Sequence, residues 1–282
     1  MARDFVEVEW LIDRLDDPGL RIIDARSVPH GGTVAMPSGR EQYAAGHIPG
    51  AVHLDYGDDL SDPETPYATR VAPAVRFALA MAAAGIGDEH GVVAYDAGTV
   101  PFAARMVWML RYYGHPEAYV LAGGLPAWIA SGGAVERGEA PARPRSRATF
   151  TPRVVEPLRA SREEVLAIAE GRSDAQLLET QRDLTYAQRD RDIRNAVRLS
   201  GNLLLEDERG GRVAPRETLE RLVREAGLDQ RKRTIVSCGS GVSAAGAWLA
   251  LREAGFGDVA VYDGSWMEWS HLGLPTVPKT QT

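Results

Sequence analysis

The chain has 282 residues, 44% hydrophobic and 25% charged, enough for the cores of two domains. A formal net charge of −7 and a pI near 5.5 argue against nucleic acid as a general partner, because a phosphate-binding face tilts a domain basic. The single cysteine, Cys238, excludes an intramolecular disulfide, and no apolar run approaches the roughly 18 residues of a membrane span. The N-terminal Met1-Ala-Arg-Asp-Phe-Val6 lacks the apolar core of a secretion signal, so a cytoplasmic, reducing location without membrane association is expected.

In chain order, Leu20–Asp24 reads as a short apolar strand ending in an acid, followed by Ala25 and Arg26. Glu41 to Leu54 begins as helix, turns at Gly46-His-Ile-Pro-Gly50 and re-enters a strand. Val92–Asp96 is a strand leading through a glycine-containing loop to a helix from Ala103 to a C-cap at Gly114. A strand from Ala118 follows, then a Gly123-Gly124 loop into a helix bearing Trp128. The stretch from Val135 to Pro157 is rich in Pro, Arg and Ala; Pro141, Pro144 and Pro152 prevent continuous helix there, and the linker is set at residues 139–157. Domains are thus expected at 1–138 and 158–282.

The second half repeats the first. Ala175–Glu179 is a strand ending in an acid, Ile235–Cys238 leads to a helix ending at Gly255, and Val259–Gly264 leads to Trp269. Arg111, Gly114, Gly123 and Trp128 match Arg252, Gly255, Gly264 and Trp269, all at one constant offset. Both halves read as alternating strands and helices, the pattern of a parallel α/β sheet. Cys238 therefore stands on a strand-to-helix loop, where N–H groups without helical partners can gather round an anion and Gly239 and Gly241 permit a tight turn. A thiol held among such groups is a candidate nucleophile; read alone, it is equally a small buried hydrophobe.

Asp24-Ala-Arg26, Gly46-His-Ile-Pro-Gly-Ala51, Cys238-Gly-Ser-Gly-Val-Ser243 and Tyr262-Asp-Gly-Ser-Trp-Met-Glu-Trp269 carry a resemblance over nearly the full length: the chain resembles the tandem-domain rhodaneses, the 3-mercaptopyruvate/thiosulfate sulfurtransferases. The resemblance implies two rhodanese-like domains, each a mainly parallel sheet flanked by helices, with a catalytically silent first domain. Asp96 occupies the cysteine position there, on a loop to Ala103 one residue longer than that from Cys238 to Ala244. It further implies a two-step transfer in which Cys238 takes sulfur from a small-molecule donor as a persulfide and yields it to cyanide or to a thiol acceptor, thioredoxin-like or of low molecular weight. The persulfide would rest on the loop Gly239, Ser240, Gly241, Val242, Ser243 and Ala244, with no metal and no organic cofactor.

A loop of the Cys-Gly-Ser-Gly-Val-Thr type goes, in that family, with 3-mercaptopyruvate, whereas thiosulfate enzymes tend to place basic residues directly after the cysteine; Cys238-Gly-Ser-Gly-Val-Ser243 sits on the mercaptopyruvate side, with thiosulfate as the alternative. Arg189 or Arg191 is expected to meet the donor's carboxylate, with Asp55, Asp263 and Trp266 as further substrate-binding candidates. The position where the family places a histidine falls near Thr69. Asp24 and Arg26 are expected to form a structural ion pair, and His47 and most of the tryptophans to be structural. Two other classes place a cysteine on such a loop. A Cys-x5-Arg phosphatase needs arginine six residues after the cysteine, where Ala244 stands. A persulfide carrier or protein-binding module fed by a partner protein uses the same cysteine and stays open on sequence alone.

Overall fold

The short β-branched and apolar runs become parallel strands, and the alanine-rich stretches between them become the helices that cover the sheets. The computed structural model describes residues 4–28, 36–67, 69–138, 148–206 and 211–279, so residues 139–147 of the expected linker lie outside the described residues. Two units are present, one of Met1–Glu64, Val71–Val154 and Arg209–Arg212, the other of Thr65–Arg70, Val155–Glu208 and Val213–Thr282. Each thus includes a short segment from the other half of the chain.

The first unit runs β1 (Phe5–Val6), α1 (Val8–Ile12), β2 (Leu20–Asp24), α2 (Gly39–Ala45), β3 (Val52–His53), α3 (Ala74–Ala83), β4 (Gly91–Tyr95), α4 (Pro101–Tyr112), β5 (Ala118–Leu121) and α5 (Gly124–Ala130). The second runs β6 (Arg159–Ala160), α6 (Arg162–Ala169), β7 (Gln176–Glu179), α7 (Asp183–Tyr186), β8 (Arg191–Ile193), β9 (Ala196–Arg198), α8 (Arg216–Glu225), β10 (Thr234–Ser237), α9 (Val242–Glu253), β11 (Val259–Tyr262), α10 (Ser265–His271) and β12 (Thr276–Pro278). The sheets are β1-β5-β4-β2-β3 and β6-β11-β10-β7-β9, parallel throughout and identical in order once the repeat is applied. An antiparallel ribbon, β8 with β12, belongs to the second unit and lies outside that common plan.

Strands covered on both faces are buried along their length rather than on alternate residues, and β10 is buried at every residue. The helices that follow the central strands, α4 and α9, are buried along nearly all of their length, which is why they are built from Ala, Val, Met and Trp rather than amphipathic. In the first unit Ile22, Val93, Tyr95 and Leu121 pack with Tyr43, Ile48 and Trp128. In the second Leu177, Ile235, Ala260 and Tyr262 pack with Val165, Ile168 and Trp269. Helices α2 and α6 start on capping boxes, Ser38 with Glu41 and Ser161 with Glu164, each of which satisfies two helix-start donors reciprocally.

From β7 the chain passes outward to β9, whereas from β10 it passes the opposite way to β11. The β7/β10 pair is therefore the switch point of the sheet, and the ground beyond the carboxyl ends of such a pair is where open α/β sheets hold ligands. Glu179 ends β7 and Cys238 follows β10, with Ser237 in register with Glu179.

Candidate active site

Cys238 begins at the end of a strand whose pairing leaves it little freedom. Ser237 O accepts the Thr180 N–H at 2.7 Å and its hydroxyl at 2.9 Å. Beyond it, the start of α10 holds the loop: Trp266 N–H donates to Cys238 O at 2.9 Å and Met267 N–H to Gly239 O at 3.0 Å. The Cys238 N–H donates to Ser265 Oγ at 3.2 Å, and that hydroxyl donates in turn to Tyr262 O at 2.8 Å. Both ends of the Cys238 peptide framework are thus tied to α10. Gly241 then turns at φ +84°, a left-handed conformation that glycine adopts without steric cost, and α9 begins at Val242.

The turn aims backbone donors inward. Gly241 N–H points at Cys238 Sγ, 3.1 Å away, and the N–H groups of Ser240 and Ala244 also favour the thiolate. Burial and, after it, the Glu179 carboxylate push the Cys238 thiol above its ordinary value, and the three N–H groups pull against them. The thiol is 2% exposed. Of the remaining loop residues, Val242 and Ala244 are buried, while Gly239, Ser240 and Ser243 are half-buried.

Glu179 is itself buried, and burial pushes its carboxyl upward against the pull of Arg189. Arg189 is the cation that answers it, donating to Glu179 Oε2 at 3.0 Å, to Gln181 Oε1 at 2.8 Å and to Asp192 Oδ1 at 3.1 Å. Its guanidinium lies over the Trp266 ring, 3.9 Å from the centroid. Arg189 and Trp266, both substrate-binding candidates, are therefore brought together, beside the helix start that holds the Cys238 carbonyl. Arg191 is exposed on β8 and donates to Thr276 Oγ1 at 2.6 Å. Asp263 is buried and pairs with Arg159 at 3.2 Å. Asp55 lies in the first unit, where it accepts the Ser27 hydroxyl at 2.6 Å and the Gly57 N–H at 2.7 Å.

The residues expected to be structural occupy structural places. Arg26 Nε donates to Asp24 Oδ1 at 2.9 Å in a buried ion pair, and His47 stacks on Tyr43 with Nδ1 2.9 Å from Tyr43 O. Trp108, Trp128, Trp248 and Trp269 are fully buried. Before β10, Arg231 pairs with Asp229, and Arg233 with Glu164 and Asp258.

Sequence reasoning gave no role beside the thiol to four residues that shape this ground: Glu179, Gln181, Ser265 and Thr69, the last noted only as the place of the family's histidine. Glu179 was legible as the counterpart of Asp24, but its partner was not, since Gln181 stands where Arg26 stands and the guanidinium comes instead from Arg189.

A protein-family model described as the rhodanese-like domain matches residues 7–131 and again 161–272. The chain belongs to the rhodanese family. Among its rhodanese relatives, the 3-mercaptopyruvate sulfurtransferase of Escherichia coli K12 is 33% identical over 97% of this chain and 98% of its own length. The thiosulfate sulfurtransferase of Bos taurus is 32% identical over 98% and 94%. The crystal structure of SseA from Escherichia coli, described as a 3-mercaptopyruvate sulfotransferase of the rhodanese fold, superposes with a TM-score of 0.84 at 30% identity, covering 94% of this chain and 99% of that one. No helix among the described residues is long and apolar enough to cross a membrane.

Proposed function

We propose that this sulfurtransferase takes sulfur from 3-mercaptopyruvate onto Cys238 and delivers it to cyanide or a thiol. The observation that carries the reading is the convergence of the Gly241, Ser240 and Ala244 N–H groups on one buried sulfur. The domain division expected from sequence goes with it: a silent first domain over 1–138, a linker over 139–157 and a catalytic second domain over 158–282.

The Cys238 thiolate attacks the donor's sulfur, the carbon–sulfur bond breaks, and the carbon takes the proton that the donor thiol carried, giving pyruvate and a Cys238 persulfide anion. An incoming thiol or cyanide then attacks the outer sulfur, the sulfur–sulfur bond breaks, and Cys238 leaves as thiolate. Backbone donors fixed before the reaction stabilise negative charge at each stage without reorganising, and a site that excludes water strengthens them. Because burial and Glu179 oppose ionisation, the N–H groups serve both to form the thiolate and to hold the persulfide. The donor's carboxylate is assigned to the ground beside Trp266, where Arg189 is stacked, with Arg191 as the alternative cation; Asp55 and Asp263, being acids, are candidates for other parts of the substrate. No cationic side chain stands between Cys238 and Ala244 to favour a dianionic donor, which supports mercaptopyruvate over thiosulfate.

The test is cyanide-dependent thiocyanate formation with each donor. Wild type is expected to show the higher kcat/KM with 3-mercaptopyruvate, and Cys238→Ala no turnover with either. Turnover surviving in Cys238→Ala would overturn the persulfide reading; preference for thiosulfate would overturn the donor assignment.

A further inference from the structure

The Ser240–Gly241 peptide has two ends. At one, Gly241 N–H donates to Cys238 Sγ at 3.1 Å. At the other, Ser240 O accepts the hydroxyl of Thr69. No cis peptide is present among the described residues, and in a trans peptide the carbonyl and N–H point in opposite directions. Holding the oxygen away from the sulfur therefore holds the N–H toward it. If the same peptide rotated by a half-turn, it would present a carbonyl oxygen to the sulfur, the reverse of what a thiolate or persulfide needs.

Thr69 belongs to the short Thr65–Arg70 segment that clusters with the second unit. Its neighbour Arg70 binds the buried Glu268 at 3.0 Å, and Glu268 accepts the Tyr262 hydroxyl at 2.8 Å, so the segment is seated on α10 and β11, the same elements that tie Cys238. Thr69 is 1% exposed and has φ +82°. For a β-branched residue that conformation is a genuine outlier, one that persists where the surroundings over-determine it and that clusters at functional sites. A hydroxyl in a strained backbone, given to the carbonyl of a peptide whose N–H lies 3.1 Å from the sulfur, is a specific arrangement.

We propose that Thr69 is a positioning residue for sulfur transfer, acting through the Ser240–Gly241 peptide to keep the Gly241 N–H on Cys238 Sγ. The inference rests on the reading of Cys238 as the sulfur acceptor, and it concerns a side chain far earlier in the sequence whose hydroxyl is given to a backbone oxygen.

Because Cys238 is the sole thiol, its reactivity can be read without interference. Iodoacetamide alkylation followed against pH by intact mass gives the thiol's midpoint directly, and single-turnover release of pyruvate from 3-mercaptopyruvate gives the first half-reaction. Loss of one oriented donor to an anion corresponds to about one pH unit, a factor of about ten. Thr69→Val, nearly isosteric but without the hydroxyl, is expected to raise the midpoint by about that much and slow pyruvate release about tenfold at neutral pH, chiefly in the rate at saturation. Thr69→Ser is expected to restore both to within about twofold. Thr69→Gly, which accepts the left-handed backbone without strain, keeps the test open if the valine variant does not fold, and the same upward shift is expected there. An unchanged midpoint in a folded Thr69→Val or Thr69→Gly overturns the inference. Failure of the Cys238 reading looks different: turnover that survives Cys238→Ala, whatever the alkylation profile of the Thr69 variants.

Discussion

The loop after β4 closes on a carboxylate. Asp96 Oδ1 accepts N–H groups from Gly98 and Thr99 at 2.9 Å and from Val100 at 3.3 Å, while Oδ2 accepts those of Phe102 at 3.2 Å and Ala103 at 3.3 Å. The loop after β10 closes on a sulfur, with Gly241 N–H at 3.1 Å and the Ser240 and Ala244 amides around it. The supports correspond as well: Leu125 N–H holds Asp96 O at 3.0 Å as Trp266 N–H holds Cys238 O at 2.9 Å. The difference teaches what such a cradle is for. Its field of N–H groups is a property of the strand–loop–helix path, present in both halves, and it takes whatever anion the chain or a substrate supplies. In the first unit two oxygens of one side chain already use the donors; in the second a single sulfur leaves capacity for another.

The largest expected effect breaks the second half at Glu179. The two halves treat the acid at the end of the second strand differently, Asp24 being paired by Arg26 two residues on and Glu179 by Arg189 ten residues on. Glu179→Gln takes the buried carboxylate from Arg189 but leaves it Asp192, so the expected cost in denaturant titration is about 3 kcal/mol, the low end for a broken buried pair. Losing the neighbouring negative charge also removes a force opposing ionisation of Cys238, so the midpoint of alkylation against pH should fall. A midpoint that stays or rises would sever the link between Glu179 and the thiol.

Next is the carboxylate in the Asp96 cradle. Asp96→Asn keeps the shape but turns an amide nitrogen toward backbone donors, at a cost of about 1–3 kcal/mol. Burial raises the Asp96 carboxyl above its ordinary value despite the donors around it. A folded value above the unfolded one means that this group's stabilisation is full below the unfolded value and declines as pH rises through the folded one. Asparagine does not titrate, so the stability gap between wild type and Asp96→Asn should be widest in acid and narrow as pH rises; a gap that widens with pH would show that the N–H groups outweigh burial.

Much of this was legible in the sequence, and the reason is periodic. A constant offset between the halves places equivalent residues in equivalent elements, so the identical strand orders and the cysteine's strand-to-helix loop follow from pattern alone. What escaped has no local signature. Gln181 stands where the first half has arginine, and only the fold shows that Arg189 serves instead. The pairing of β8 with β12 joins segments some 85 residues apart, with no counterpart in the repeat to announce it. Thr69 is invisible to any window of sequence that contains Cys238. The sequence reading saw there only the lack of a histidine, and could not foresee a backbone carbonyl as the partner.

The smallest effect tests one more departure from the repeat. Gly124, at φ +57°, corresponds to Ser265, at φ +49°, by the same offset that relates the two halves elsewhere. In the first unit a Cβ at that position would stand 2.5 Å from Asp96 O, which leaves glycine; in the second the serine is accommodated and its Oγ accepts the Cys238 N–H. Ser265→Ala keeps the strained backbone and leaves that buried N–H without its acceptor, a loss of about 1–3 kcal/mol. Ser265→Gly loses the same hydrogen bond but relieves the left-handed strain, which costs an L-residue about 1–2 kcal/mol, so it should melt above the alanine variant. If the two melt together, the backbone there is not strained and the hydroxyl alone accounts for the serine. If glycine is the more stable, the second unit tolerates an unfavourable conformation in order to place one acceptor under the cysteine.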